Sequence, residues 1–192
     1  MKKFQVAFSL IISGLLISCS QKTEVSTDQK VPIDSVMSAS DSIAIIAERK
    51  KAQEQEKAKL DKPYREDENA EEKIKELVKQ AQAENKNIIL QAGGNWCIWC
   101  LRFNDFIQRT PELKKITDDH YLYYHLNYSP NNKNEKVFNR YGNPGEKYGY
   151  PVFIILNKEG KLIHTQDSAV LEDGKGYDLG KVKAFLAEWI PK

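Results

Sequence analysis

Cysteine is scarce in this sequence, which has three cysteines among 192 residues. Cys19 ends an N-terminal apolar segment, so only Cys97 and Cys100 remain for the rest of the chain. Disulfides that stabilise small secreted folds usually close long loops, and the two-residue loop between these cysteines would restrain the unfolded chain little. A structural staple is therefore the weaker explanation of the pair.

A surplus of one charge is also lacking, because 29 lysines and arginines nearly balance 27 aspartates and glutamates. The two signs alternate along the chain and form no basic stripe. Nucleic-acid-binding domains usually concentrate Lys and Arg on one surface. We therefore expect no nucleic-acid partner.

The N-terminal apolar stretch, residues 4–17, is too short to remain in a membrane as a spanning helix. Lys2 and Lys3 precede it, which is the pattern of an export signal. Its end, Leu16-Ile17-Ser18-Cys19, resembles the lipobox of bacterial lipoproteins. That resemblance implies removal of residues 1–18 as a signal peptide and attachment of lipid to Cys19. The protein would then be anchored to a bacterial membrane and face the periplasm or the outside. The alternative is an ordinary secretory signal with a chance cysteine.

Residues 19–65 lack a packable core, since Ser, Thr, Asp, Lys, Glu and Gln dominate them. Residues 43–60 are rich in helix formers, yet almost no apolar side chain follows Ile46. We interpret the segment as a polar linker, partly helical, that holds the domain away from a membrane surface. A coiled coil would need sustained apolar heptads.

The compact domain is predicted to cover residues 66–192. Apolar periodicity and turn residues predict an α/β fold with the order helix, strand, helix, strand, helix, strand, strand, helix, the third helix preceding the last two strands. The predicted elements are helices at 69–84, 97–109 with a short helix at 111–117, and 134–141, strands at 87–92, 121–128, 152–156 and 161–164, and a last helix capped by Asp178.

The cysteine pair lies where a strand and the turn Gly93-Gly94 lead into a helix. Unpaired backbone N–H groups and the helix dipole favour negative charge at that end, so the thiolate of Cys97 is stabilised there. Cys100 lies on the same face about one turn deeper, within reach of a mixed disulfide on Cys97. We predict that Cys97 is the nucleophile and Cys100 the resolving thiol of a pair that cycles between disulfide and dithiol.

Other uses of the pair can be weighed from the neighbouring residues. A c-type haem site requires His directly after the second cysteine, where this sequence has Leu101. A zinc site could add His120 and His125, but their distance from Cys100 exceeds the usual finger spacing. If both histidines lay on one strand, they would also face opposite sides. We expect no metal and no other cofactor, while a structural or inactive pair stays open.

The motif Trp96-Cys97-Ile98-Trp99-Cys100 after a strand, with Gly149-Tyr150-Pro151-Val152 opening a later strand, resembles thioredoxin-fold proteins. The resemblance extends over about residues 66–192. It implies a three-layer α/β fold in which helices flank a central mixed sheet.

Within that superfamily, the stretch from Cys100 through Phe106 and Thr110-Pro111-Glu112-Leu113 to Tyr121 is similar to the periplasmic thioredoxin-like domain of thiol:disulfide interchange reductases. The similarity implies an envelope thiol:disulfide oxidoreductase that reduces protein disulfides. Its electrons would come from a membrane-bound thiol reductase. The competing hypothesis is a catalytically inert, thioredoxin-like lipoprotein that binds a partner and keeps its cysteines joined.

The resemblance also implies roles for residues around the motif. Pro151 matches the proline that follows a cis bond and faces the cysteines, and the Tyr150 backbone would pair with a substrate strand. The alternative is that Pro151 merely begins a strand in trans. Trp96, Trp99 and Tyr150, together with Tyr148, would form an aromatic rim that binds an extended polypeptide, although Trp99 fits the core equally well.

One position departs from the family pattern. Thioredoxins commonly have a buried acidic residue in the strand before the motif, and the matching position here is Gln91. A glutamine cannot take up a proton, so we expect Gln91 to hydrogen-bond its surroundings instead. The residues between the cysteines, Ile98 and Trp99, are uncharged, which leaves the helix terminus and Arg102 to stabilise the Cys97 thiolate. We therefore predict a potential nearer the reducing than the oxidising end of the family range.

Overall fold

The computed structural model describes residues Ala39–Lys192. The signal peptide predicted for residues 1–18 and the lipid anchor predicted at Cys19 lie outside this range and stay predictions. Among the described helices, none is both long and apolar enough to cross a membrane.

The helices and strands follow the predicted α/β order, with additional short elements. The helices are α1 (Ala39–Lys59), α2 (Ala70–Glu84), α3 (Ile98–Arg109), α4 (Pro111–His120), α5 (Glu135–Arg140), α6 (Pro144–Tyr148) and α7 (Leu179–Glu188). The strands are β1 (Asn87–Gly93), β2 (Tyr121–Asn127), β3 (Val152–Leu156), β4 (Leu162–Asp167), β5 (Glu172–Asp173) and β6 (Gly176–Tyr177).

The central sheet is mixed and has the strand order β2-β1-β3-β4. Strand β1 pairs in parallel with β2 and antiparallel with β3, so it lies inside the sheet. All residues of β1 and β3 are buried, as expected for strands that helices cover on both faces.

Alternate residues of β1 point into two separate cores on the two faces of the sheet. Ile88 and Leu90 pack with Ile74 and Leu77 of α2 in one core. The other core contains Ile89 together with the side chains of Phe103 in α3 and Phe185 in α7. These layers confirm the predicted three-layer arrangement.

Several boundaries differ from the predicted ones. Helix α4 continues to His120, β4 begins at Leu162 and continues to Asp167, and the chain adds α6 and the β5–β6 hairpin. Helix α6 has five residues and each hairpin strand has two. Segments this short contain fewer than two periods of their own repeat, so periodicity cannot detect them.

Candidate active site

The two cysteines of the motif are joined at the start of α3. They form a disulfide whose Cα atoms are 5.3 Å apart. Cys97 is the N-cap residue of the helix, and its sulfur accepts a hydrogen bond from the backbone N–H of Cys100 at 3.1 Å. The pair therefore lies where free backbone N–H groups stabilise a negative charge on the first sulfur.

The two sulfur-bearing residues differ in how far solvent reaches them. Cys97 is 6% exposed and Cys100 is 0% exposed. An incoming disulfide can therefore approach only from the side of Cys97. This difference suits the predicted division into an attacking and a resolving thiol.

The loop before β3 borders the disulfide. The peptide bond between Tyr150 and Pro151 is cis, and the carbonyl oxygen of Tyr150 lies 3.5 Å from the sulfur of Cys97. A backbone carbonyl beside the reactive sulfur can accept a hydrogen bond from an extended peptide. The Tyr150 carbonyl, and with it the loop that contains Pro151, therefore lies beside the disulfide.

An aromatic surface lies next to that loop. Trp96 is 47% exposed, and its ring meets the ring of Tyr150 edge-on with centroids 5.5 Å apart. The indole N–H of Trp96 donates to the Tyr128 carbonyl at 2.7 Å, and the Tyr128 and Tyr150 rings stack at 5.3 Å. Trp96, Tyr128 and Tyr150 form what we call the aromatic rim.

Sequence reasoning missed Tyr128, although a signal for it was available. Strands β1 and β2 are parallel, so residues that follow their carboxyl ends meet at one edge of the sheet. Tyr128 directly follows β2, and its N–H donates to the carbonyl of Gly93 at 2.6 Å. Tyr128 is thereby brought beside the turn that leads to Cys97.

Trp99 lies apart from the aromatic rim. Its ring meets Tyr177 of the β5–β6 hairpin edge-on at 5.8 Å, and the guanidinium of Arg102 lies 4.8 Å from its centroid. Tyr148 packs instead against the core on the α2 face of the sheet. Of the four aromatic residues predicted around the thiols, Trp96 and Tyr150 meet in the aromatic rim, while Trp99 packs both against the cluster that contains the cysteines and toward the hairpin.

The charge of Arg102 is compensated by α1. Its guanidinium donates to both carboxylate oxygens of Glu56 at 2.7 and 2.6 Å. These hydrogen bonds raise the pKa of Arg102 and lower the pKa of Glu56. Because a bidentate partner holds this cation, the helix terminus is the main stabiliser of a Cys97 thiolate.

Gln91 lies directly behind the second cysteine. Its side chain is fully buried, and its amide Nε2 donates to the carbonyl oxygen of Cys100 at 2.9 Å. Its Oε1 accepts a hydrogen bond from the Tyr123 hydroxyl at 2.5 Å. Gln91 therefore holds the first turn of α3 in place, in keeping with the expectation that it hydrogen-bonds its surroundings.

Tyr64 is a site residue that sequence reasoning missed. It is 3% exposed and packs against Cys97 and Cys100. The side chain of Asn95 holds its backbone, accepting from the N–H at 3.2 Å and donating to the carbonyl at 2.8 Å. The predicted boundary at residues 65 and 66 puts Tyr64 in the linker, whereas its side chain lies inside the site. A single aromatic in an otherwise polar segment was the only available signal.

Part of the chain matches the model of a known protein family. Residues 69–158 match a family model described as thioredoxin-like, and this range includes both cysteines and Pro151. The chain contains a thioredoxin-like domain.

Solved structures also match this thioredoxin-like domain. A disulphide isomerase from Xylella fastidiosa Temecula1 matches with 22% identity and a TM-score of 0.59, covering 67% of this chain and 97% of that one. A redox protein from Chlamydomonas reinhardtii matches with 23% identity and a TM-score of 0.41, covering 64% of this chain and 34% of that one. A DsbH oxidoreductase matches with 22% identity and a TM-score of 0.42, covering 59% of this chain and 76% of that one. A search of curated proteins gives no match.

The two histidines considered for zinc lie on different elements of the thioredoxin-like domain. His120 is the last residue of α4 and His125 lies in β2, so the two histidines do not share a strand. His125 lies in β2 opposite Gln91, and its ring contacts those of Tyr64 and Tyr123 at 5.1 and 5.2 Å. Within the described part of the chain, no three His, Cys, Asp or Glu residues are grouped to hold a metal.

Gly93 in the thioredoxin-like domain leaves room for the second sulfur. A Cβ at this position would overlap the sulfur of Cys100, whose backbone Gln91 holds in place. We expect Gly93→Ala to lower the free energy of unfolding of the oxidised protein by about 1–3 kcal/mol, as overpacked cores do. Urea unfolding measures the change. Gly176→Ala is the matched control, because the nearest heavy atom to its added Cβ lies 4.0 Å away. Equal losses in the two variants would contradict the steric explanation.

Proposed function

We propose that the protein is a thiol:disulfide oxidoreductase that acts on protein disulfides. The observation that carries the proposal is the Cys97–Cys100 disulfide at the N-terminus of α3, with Cys97 nearer the solvent and Cys100 sealed behind it. The thioredoxin-like fold supports it, and in this structure the pair lies beside the proline loop.

In the reducing direction, the Cys97 thiolate attacks one sulfur of a substrate disulfide. The other substrate sulfur leaves as a thiolate, and a mixed disulfide joins Cys97 to the substrate. Cys100 then loses its proton to water and attacks the sulfur of Cys97, which releases the second substrate thiolate. Two electrons have passed to the substrate, and the Cys97–Cys100 disulfide is restored.

The aromatic rim and the proline loop supply a surface for an extended substrate segment. The Tyr150 carbonyl lies 3.5 Å from the Cys97 sulfur, so a backbone N–H that binds this carbonyl brings its chain to the reacting atoms. The exposed face of Trp96 offers apolar contact beside it. Both features suit polypeptide substrates without requiring a particular sequence.

The reducing direction and the envelope location belong to the same proposal. The lipobox resemblance at Cys19 supports an exported, lipid-anchored protein, and the likeness of residues 100–121 to interchange reductases supports reduction. The residues between the cysteines are uncharged and Arg102 is paired with Glu56, so little beyond the helix terminus stabilises the Cys97 thiolate. A modestly stabilised thiolate suits a reductant that a membrane-bound thiol reductase recharges.

A second candidate is an inert module that binds a partner through the aromatic rim. The low exposure of Cys97 favours it, since a sheltered disulfide reacts slowly with other thiols. The two candidates differ in whether the disulfide opens under physiological conditions.

Redox titration of the full chain separates the candidates. A functional reductase should equilibrate with thiol buffers near the thioredoxin and glutaredoxin potentials, between about −270 and about −200 mV. Alkylation followed by mass measurement gives the reduced fraction at each buffer ratio. A disulfide that stays closed below about −300 mV would overturn the oxidoreductase proposal and favour the binding module.

A further inference from the structure

The hydroxyl of Tyr64 is an unusual feature of the site. It is buried and has no hydrogen-bond partner among the described residues. Burial raises the pKa of this hydroxyl well above its usual range. The nearby Gln91 side chain lowers the pKa by less than burial raises it, so the hydroxyl keeps its proton. Buried polar atoms nearly always have a partner, and an exception at a reactive site calls for a functional explanation.

The hydroxyl lies beside the buried sulfur. A Cβ added to Gly93 would overlap the sulfur of Cys100 and stand 3.0 Å from the Tyr64 oxygen. The Cys100 sulfur and the Tyr64 hydroxyl oxygen therefore border the same space beside the Gly93 backbone. This space is open because glycine has no side chain. Tyr64 and Cys100 also belong to one buried cluster.

The redox state of Cys100 changes what that sulfur can accept. In the disulfide it is bonded to Cys97 and carries no negative charge, so it is a weak acceptor. After reduction it is a thiol, and during resolution a thiolate, which accepts charge-assisted hydrogen bonds. Gln91 is already engaged with the Cys100 carbonyl and with Tyr123.

We propose that the Tyr64 hydroxyl donates a hydrogen bond to the sulfur of Cys100 once the disulfide opens. The bond stabilises the dithiol form and the resolving thiolate, and Tyr64 retains its proton throughout. The reaction itself is unchanged: two electrons and two protons convert the disulfide to two thiols. This inference rests on the proposed function, because it assigns a further residue to the same site.

The test is the equilibrium of the full chain with glutathione. Tyr64→Phe removes only the hydroxyl oxygen, and we expect the equilibrium constant to shift toward the disulfide by up to about tenfold, the upper end of what one net hydrogen bond to a neutral thiol contributes. Tenfold corresponds to a potential lower by about 30 mV. Tyr121→Phe is the control, since it removes a hydroxyl that donates to the Leu186 carbonyl at 2.6 Å, away from the sulfurs, and we expect no shift.

A second measurement separates this role from a packing role. Thermal unfolding of Tyr64→Phe should show the reduced form destabilised and the oxidised form unchanged or more stable, because the oxidised form loses an unpartnered group. Equal loss in both redox states, or an equilibrium constant equal to that of the unsubstituted chain, overturns the inference. Failure of the proposed function is distinguishable, because it appears as inactivity of the unsubstituted chain toward insulin disulfides.

Discussion

We expect Cys97→Ser to reduce insulin disulfides no faster than the uncatalysed background, and Cys100→Ser to form a mixed disulfide with its substrate and stop there. The physical reason is the geometry of the pair. The Cys97 sulfur is at the exposed end of the helix start, and the Cys100 sulfur is sealed, so only the first can meet a substrate. Hydroxyl oxygen cannot replace a thiolate in disulfide exchange.

Two measurements check this expectation. Turbidity of precipitating insulin gives the rate, and non-reducing electrophoresis shows whether Cys100→Ser remains joined to the substrate. Iodoacetamide should modify the reduced unsubstituted chain at Cys97 before Cys100. A Cys97→Ser protein that works at the unsubstituted rate would end the proposed mechanism, and first labelling of Cys100 would reverse the assigned roles.

Acid should destabilise the protein through His125, and His125→Gln should remove most of that sensitivity. Burial lowers the pKa of His125 in the folded protein to about 4 from its ordinary value of 6.5. As the pH falls below 6.5, His125 binds a proton in the unfolded chain but stays neutral in the folded chain. The free energy of unfolding therefore decreases. The loss grows to about 3 kcal/mol near pH 4, at 1.36 kcal/mol for each pKa unit separating the two states.

The groups that face His125 do not supply a compensating charge. Tyr64 and Tyr123 pack against its ring, and burial raises the pKa of each, so both stay neutral in this range. Urea unfolding at pH 7 and at pH 4.5 gives the change for each protein. His120→Gln, a substitution at the end of α4, controls for the loss of a histidine elsewhere and should follow the unsubstituted chain. An acid sensitivity in His125→Gln equal to that of the unsubstituted chain would contradict the assignment.

The fold and the cysteine pair could largely be predicted from local patterns. The apolar spacing of Ile74 and Leu77 indicated α2, the run at 152–156 indicated β3, and Asp178 caps α7 through the N–H of Lys181 as expected. The start of α3 at the cysteines followed from the strand and the turn before it. These features depend on interactions within a few residues, which periodicity and capping rules describe.

The surroundings of the pair depended on contacts between distant parts of the chain. Tyr64 enters from a segment that reads as linker, and Glu56 of α1 takes up the charge of Arg102. Trp99 packs on a hairpin too short to predict, while Tyr128 completes the aromatic rim because parallel strands end together.

The sequence by itself therefore determined the α/β order and the cysteine pair at a helix start, whereas the position of Pro151 beside the pair was implied by the family resemblance. Only the tertiary structure decided which groups surround the sulfurs, which charges are compensated and which polar atoms stay unpartnered. Local backbone preferences are encoded in adjacent residues, whereas burial and hydrogen bonding belong to whichever side chains folding brings together.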